Sequence, residues 1–221
     1  MPVIVIASPK GGAGKSTTAV LLGTELAHAG APVAMLDCDP NRSLTLWSQR
    51  GPVPAGIEVL SGVSEAEIVR TIKPLDQDGQ VVIVDLEGVA SRLVSRAISQ
   101  ADLVVTPMRA TTLDATIGAR ALALIAEEEE ALDRRIPHAV VFTMTKGVRS
   151  KQHIGIEDSL RRQGVDLIEP ALMERVAFSA LFEFGGDLRS MPPQGNMEAA
   201  IGNAAGFAQA VYGRLVGELG R

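Results

Sequence analysis

The residues best suited to chemistry lie together near the start of the chain, in Pro9-Lys10-Gly11-Gly12-Ala13-Gly14-Lys15-Ser16-Thr17. Gly11, Gly12 and Gly14 carry no Cβ, so the backbone from Gly11 to Thr17 can turn sharply and aim successive N–H groups at one anion. A helix beginning at the end of such a turn adds the positive end of its dipole. Lys15 would neutralise the β- and γ-phosphates of a nucleoside triphosphate, and the Ser16 hydroxyl would take a place on Mg²⁺. From average residue usage the pattern Lys-Gly-Gly-x-Gly-Lys-Ser/Thr arises by chance in a chain this long at odds on the order of one in 10⁴. The competing reading is a glycine-rich turn with no ligand.

Two acidic segments supply what such a loop needs opposite it. Leu36-Asp37-Cys38-Asp39-Pro40-Asn41 follows an apolar run, and carboxylates at the end of a strand fall where open parallel sheets hold their ligands. Asp37 and Asp39 also fit a turn or a helix cap, since Asp-Pro and Asn favour turns without any ligand. Val81-Val82-Ile83-Val84-Asp85-Leu86-Glu87-Gly88 is an apolar run ending in an aspartate. Here Asp85 is expected to bind Mg²⁺ through water and Gly88 to offer its N–H to a γ-phosphate. A strand followed by Asp is common, so this segment gains weight only beside the glycine loop.

The elements that would position these residues are legible as an alternation. Short β-branched runs at 3–7, 33–36, 81–84, 103–106 and 140–143, with weaker ones near 57–60 and 165–168, alternate with segments of helical period. The helices are expected at 15–29, 65–72, 91–99, 113–132, 152–163 and 197–219, with Gly30 and Gly164 as stops. Strands that are nearly all apolar are buried on both faces. The fold class is therefore α/β: a mostly parallel twisted sheet with helices on both faces. No linker or repeat divides the chain, so one domain over 1–221 is expected, and the acidic run 127–130 reads as a solvated helix face.

At this point the sequence resembles the ParA/MinD family of P-loop ATPases of the deviant Walker A type, over essentially the whole chain. The departure from the ordinary loop is Pro9 in place of the first glycine and a second lysine, Lys10, before Gly11. The resemblance implies that Lys10 crosses a dimer interface to the partner's ATP, where concentrated negative charge needs extra cations. It also implies that Asp39 orients the attacking water, that Asp37 lies in the metal's outer shell and that the Val81–Gly88 segment is Walker B with a switch. By the same resemblance Thr106 to Asp114 lies at the dimer face, and Thr143 to Lys146, Met144 included, lies at the adenine; the competing reading of the first segment is that Thr112 is a helix N-cap, and both can hold. ATP and Mg²⁺ are the implied cofactors.

Asn41-Arg42-Ser43-Leu44-Thr45-Leu46-Trp47 looks closer to the short ParA-like ATPases of T-DNA and conjugative transfer than to plasmid proteins with a Pro-Gln-Gly-Asn segment. Trp47 reads as a packing residue rather than a partner anchor. MinD-like proteins end in a basic amphipathic helix, whereas the tail from Phe207 carries only Arg214 and Arg221 as cations, so no membrane partner is expected. The resemblance implies an ATP-dependent homodimer, an activating adaptor and DNA or a cargo complex to position. A non-DNA positioning scaffold and a small-molecule kinase or ligase are the alternatives.

Composition bounds the rest. The chain has 221 residues, 46% of them apolar and 21% charged, with a net charge of −5; this is ordinary for a globular protein large enough to bury a core. Aromatics are only 3%, so the core must be aliphatic. One cysteine, Cys38, cannot form an intrachain disulfide or supply a zinc or iron–sulfur site alone, and a cytoplasmic home, free or nucleoid-associated, is expected. Neither a leader peptide nor a run of ~20 apolar residues is expected from the sequence. An acidic chain is not a nucleic-acid glove, but Arg149, Lys151, Arg161, Arg162, Arg175 and Arg189 punctuate its C-terminal third, and some are expected on one DNA-binding face. Arg161 and Arg162 also suit the end of a helix before Gly164, where they complement its dipole.

Overall fold

The computed structural model describes residues 2–88 and 91–219, so Arg221 of the tail lies outside it. In chain order the elements are β1 Val3–Ile6, α1 Lys15–His28, β2 Val33–Cys38, α2 Ser43–Arg50, β3 Ile57–Ser61, α3 Ile68–Gln77, β4 Val81–Leu86 and α4 Arg92–Ile98. There follow β5 Leu103–Met108, α5 Thr112–Leu132, β6 His138–Phe142, α6 Lys151–Arg162, β7 Leu167–Ile168, α7 Val176–Phe184 and α8 Met197–Leu219. The strands form one sheet in the order β3-β2-β4-β1-β5-β6-β7, and every pairing is parallel.

This order decides where a ligand can sit. The chain leaves β1 for β2 on one side, returns to β4 beside β1, and then places β5 on β1's other flank. The loops leaving β1 therefore open at a topological switch point, the crevice in which such sheets bind ligands.

The all-apolar strands are buried on both faces, as their composition requires. Ile4 and Ile6 of β1 face a cluster with α1, α2, α7 and α8, whereas Val3 and Val5 face one with α3, α4 and α5. Phe142, Leu160 and Leu167 pack at the β6–β7 edge under α6. No described helix is long and apolar enough to cross a membrane, and α8 buries Phe207, Val211 and Leu215 against the sheet's helical layer.

Two helices escape a reading by period. In α2 only Leu44 and Trp47 are buried, and eight residues give too short a pattern to register. Trp47 is a packing residue, fully buried, with its indole Nε1–H donating to Gly186 O at 2.8 Å. α7 is almost continuously apolar and so lacks the polar face that marks a helix in sequence. The expected start of α3 at residue 65 falls on a turn, where Ser64 Oγ donates to Glu67 Oε2 at 2.5 Å and Ser64 N donates to the same oxygen. Glu67 N and Ile68 N both donate to Ser64 O, at 3.0 Å each, so residues 65–67 form a turn that leads into the helix at Ile68. The N-cap of α5 is Thr111 rather than Thr112: its hydroxyl accepts from Asp114 N at 3.1 Å.

Candidate nucleotide site at the sheet's C-terminal edge

The glycine loop bridges β1 and α1. Gly12 and Gly14 adopt φ of +72° and +90°, a region closed to side chains without strain, and Gly14 is the N-cap of α1. The loop is braced from three sides. Thr143, just beyond β6, donates Oγ1–H to Ala13 O at 2.8 Å, and Thr18 Oγ1–H donates back to Gly14 O at 2.8 Å. Arg109, just beyond β5, donates from Nη2 to Gly12 O at 3.0 Å. Gly88, beyond β4, comes so close that a Cβ there would stand 3.2 Å from Gly11 N and 3.4 Å from Lys15 Nζ. A side chain at 88 would thus crowd the glycine loop and the Lys15 ammonium.

The loop roofs a cleft of about 490 Å³ lined by Gly11, Gly12, Gly14, Lys15, Ser16 and Thr17, with Asp39, Asn41, Glu87, Gly88 and Met144 around its rim. Lys15 is 6% exposed and its Nζ reaches Lys10 O at 3.4 Å. The two loop lysines therefore differ in surroundings: Lys15 is enclosed and lines the cleft, whereas Lys10 is half-buried outside that lining and forms an ion pair with the buried Asp114 of α5.

Parallel pairing of β2 with β4 puts Asp37 directly beside Asp85. Both are buried, and Asp85 Oδ1 and Oδ2 and Asp37 Oδ1 have no hydrogen-bond partner among the described residues. The other Asp37 oxygen accepts from Thr45 N at 2.8 Å and Thr45 Oγ1 at 2.6 Å. Burial pushes the Asp85 carboxyl up to about 7; the Ser16 hydroxyl and Lys15 oppose this, and Asp37 and Asp39 reinforce it. A pair of enclosed acids with orphaned oxygens beside a serine hydroxyl is the donor set a hard divalent cation takes. Burial likewise pushes the Cys38 thiol up to about 12, with Asp37 and Asp85 adding to it, so Cys38 is a packed residue and not a nucleophile.

Asp39 lies at the cleft rim and closes a turn, its Oδ1 accepting from Asn41 N and Asn41 Nδ2, each at 2.8 Å. Both expectations for it are thus compatible with its position. Met144 adopts φ of +52° at the joint between the main cleft and a smaller pocket.

The six cations considered for DNA do not form one patch. Arg189 holds Glu25 with two hydrogen bonds of 2.7 and 2.9 Å and lies by Pro2 and Val81, at the strands' N-terminal edge, away from the nucleotide cleft. Arg149 pairs with Glu157 at 2.7 Å, and Arg161 lies between Glu157 at 3.1 Å and Glu169 at 2.6 Å. Lys151 and Arg162 are exposed at opposite ends of α6. Arg175 lines the smaller pocket behind the glycine loop. Sequence reasoning missed Arg109 and the roles of Thr45 and Asp114 as partners to the loop and Asp37, because each acts across 97, 8 or 104 residues of chain with no motif of its own.

Residues 4–188 match the model of the CobQ/CobB/MinD/ParA nucleotide binding domain. The chain belongs to this family. Protein ParA of Rhizobium radiobacter is 67% identical over 97% of this chain and 98% of its own length. Protein virC1 of Rhizobium rhizogenes is 27% identical over 84% of this chain and 82% of its own, so the resemblance to that branch is present but weaker. The McdA–ATP complex of Cyanothece shares the fold at a TM-score of 0.73 and 19% identity, covering 96% of each chain.

Proposed function

We propose that this chain is a partition-type ATPase, one domain over residues 1–221, which binds MgATP, dimerises around it and hydrolyses it slowly to position DNA or a cargo complex. The observation that carries the reading is the division of labour between two lysines on one glycine loop: Lys15 enclosed and lining the cleft, Lys10 outside its lining and held by Asp114. One cation inside and one outside is what a site needs when its triphosphate is to be shared with a second subunit. The relationship to Protein ParA supports the partition role.

Lys15 neutralises the β- and γ-phosphates while the N–H groups of residues 11–17 cradle them. Ser16 and Asp85, with Asp37 behind them, would hold Mg²⁺, which supplies positive charge where negative charge develops on the phosphates. Gly88 presents its N–H to the γ-phosphate, and Met144 borders the base. Asp39 orients a water whose oxygen attacks the γ-phosphorus; the bond to the β–γ bridging oxygen breaks, giving ADP and phosphate. Lys10, released from Asp114, reaches the partner's nucleotide. An activating adaptor protein and non-specific DNA are the expected partners, in a cytoplasmic and nucleoid setting.

A second reading directs the same cycle at a protein complex without DNA. It is favoured by the carboxylate partners of Arg149, Arg161 and Arg189, which offset charge a polyanion would otherwise meet. Co-sedimentation with plain duplex DNA, with and without ATP, separates the two. The core of the proposal is tested by Lys15→Ala in a fluorescent ATP titration. Binding should be lost, and unchanged affinity would remove the loop from the nucleotide site.

A further inference from the structure

Among the arginines of the C-terminal third, Arg175 has surroundings that fit neither a surface ion pair nor an open cationic face. It lines a pocket of about 170 Å³ behind the glycine loop, together with Thr17, Thr143, Met144, Met173 and Phe178. That pocket shares Gly14, Thr17 and Met144 with the cleft of the glycine loop, so a nucleotide with its phosphates on the loop can extend its other end toward Arg175. Among the described residues the buried Arg175 Nε has no hydrogen-bond partner, and its Nη2 meets only the thioether of Met173, at 3.3 Å. No carboxylate pairs with it among the described residues, in contrast to Arg149, Arg161, Arg189 and Arg214.

A buried, unmet N–H costs free energy that a bound ligand can recover. The backbone around this one is fixed: Met173 N donates to Asn203 Oδ1 at 2.9 Å and Glu174 N to Thr145 O at 2.8 Å. Arg175 begins α7 without capping it through its side chain, so the helix does not depend on the guanidinium. The facing walls are soft and apolar, from Met144, Met173 and Phe178, which suits a flat ring better than a phosphate. A guanidinium offers only donors, and the neutral acceptors of a nucleotide are its ribose oxygens and its ring nitrogens, of which the ring nitrogens belong to the flat group these apolar walls suit.

We propose that Arg175 reads the base of the nucleotide, donating Nε–H to a purine ring nitrogen, and that it takes no part in DNA binding. This rests on the reading that the loop holds ATP. The test is calorimetry on the full chain with MgATP, MgCTP and magnesium tripolyphosphate, comparing the parent with Arg175→Ala and Arg175→Gln. Both variants should bind ATP about tenfold more weakly, as expected for one lost charge-assisted hydrogen bond, and should lose preference for ATP over CTP. Tripolyphosphate affinity should stay at the parental value, which also reports an intact loop. Unchanged ATP affinity overturns the proposal, as does equal loss of tripolyphosphate binding in both variants or a loss confined to DNA binding. If the parent binds neither ATP nor tripolyphosphate, the nucleotide reading fails first and this one with it.

Discussion

Lys10 and Asp114 meet within one chain across the space between the glycine loop and the start of α5. Asp114 is buried, its second oxygen has no partner among the described residues, and its neighbour Leu113 is exposed to solvent. If Lys10 serves a neighbouring subunit as proposed, it is held at home by a carboxylate, and reaching across costs that ion pair.

Asp114→Asn removes the charge while keeping the side chain's shape, so Lys10 is released without the loop being disturbed. ATP-dependent dimers should form at several-fold lower protein concentration than in the parent, measured by light scattering. Lys10→Ala should bind ATP as a monomer and form no dimer. If the Asn variant dimerises more weakly than the parent, the ion pair supports the interface and does not compete with it.

Asp39→Ala should leave ATP bound and stop hydrolysis, because neither Lys15 nor Asp85 loses a contact. The variant should accumulate as the ATP-bound dimer, seen as phosphate release falling to background while dimer persists. The lost turn bonds to Asn41 should cost only about 1 kcal/mol of stability, since the segment is solvent-facing. Hydrolysis at the parental rate would reduce Asp39 to a turn residue.

Acid stability should depend on Asp187. Burial alone would raise its carboxyl, but hydrogen bonds from the Ser190 hydroxyl, the Arg189 N–H, His28 and the Ser190 N–H outweigh it and hold the group below the usual aspartate range. A group depressed in the folded state contributes stability that is present above its unfolded value, about 3.9, and is lost as pH falls through the folded one. Trp47, the single tryptophan, donates to Gly186 O next to this segment and reports its unfolding by fluorescence. Denaturant midpoints should drop below about pH 4 in the parent. Asp187→Asn should be less stable at pH 7 yet shallower in that acid limb, and a limb as steep as the parent's would place the acid-labile group elsewhere.

Much of this molecule was legible because the decisive signals are local. The order strand, glycine loop, helix needs no tertiary information, and the apolar runs ending in Asp37 and Asp85 announce both strand and ligand edge. What was not legible is what the fold assembles from distant parts. The brace from Arg109 to Gly12 O and the hold of Asp114 on Lys10 depend on β1 and β5 being neighbours. Likewise, cations close in sequence, such as Arg175 and Arg189, end at opposite edges of the sheet. α7 was hidden for a different reason: being apolar nearly all round, it has no period to read.

DNA binding by an acidic chain must come from few cations used twice. Of the six considered, Lys151 and Arg162 are exposed and lack a carboxylate partner among the described residues. They lie at the two ends of α6, roughly 16 Å apart at 1.5 Å per residue, a spacing from which both can reach phosphates of one duplex. A monomer offering two contacts should bind weakly at physiological salt. A dimer doubles the number, and affinity falls with salt in proportion to it, so binding should require ATP, ignore sequence and weaken steeply as salt rises. Lys151→Glu combined with Arg162→Glu should lower affinity and flatten the plot of log affinity against log salt by about 3 to 4, for four contacts per dimer at ~0.9 each. ATP affinity should not change. Arg161→Glu makes a poor test, because it would set a third carboxylate beside Glu157 and Glu169 and disturb the helix end. Should the double variant bind duplex DNA with the parental slope, α6 is not the contact surface. Should the parent with ATP fail to bind even at low salt, a protein cargo replaces DNA as the thing positioned.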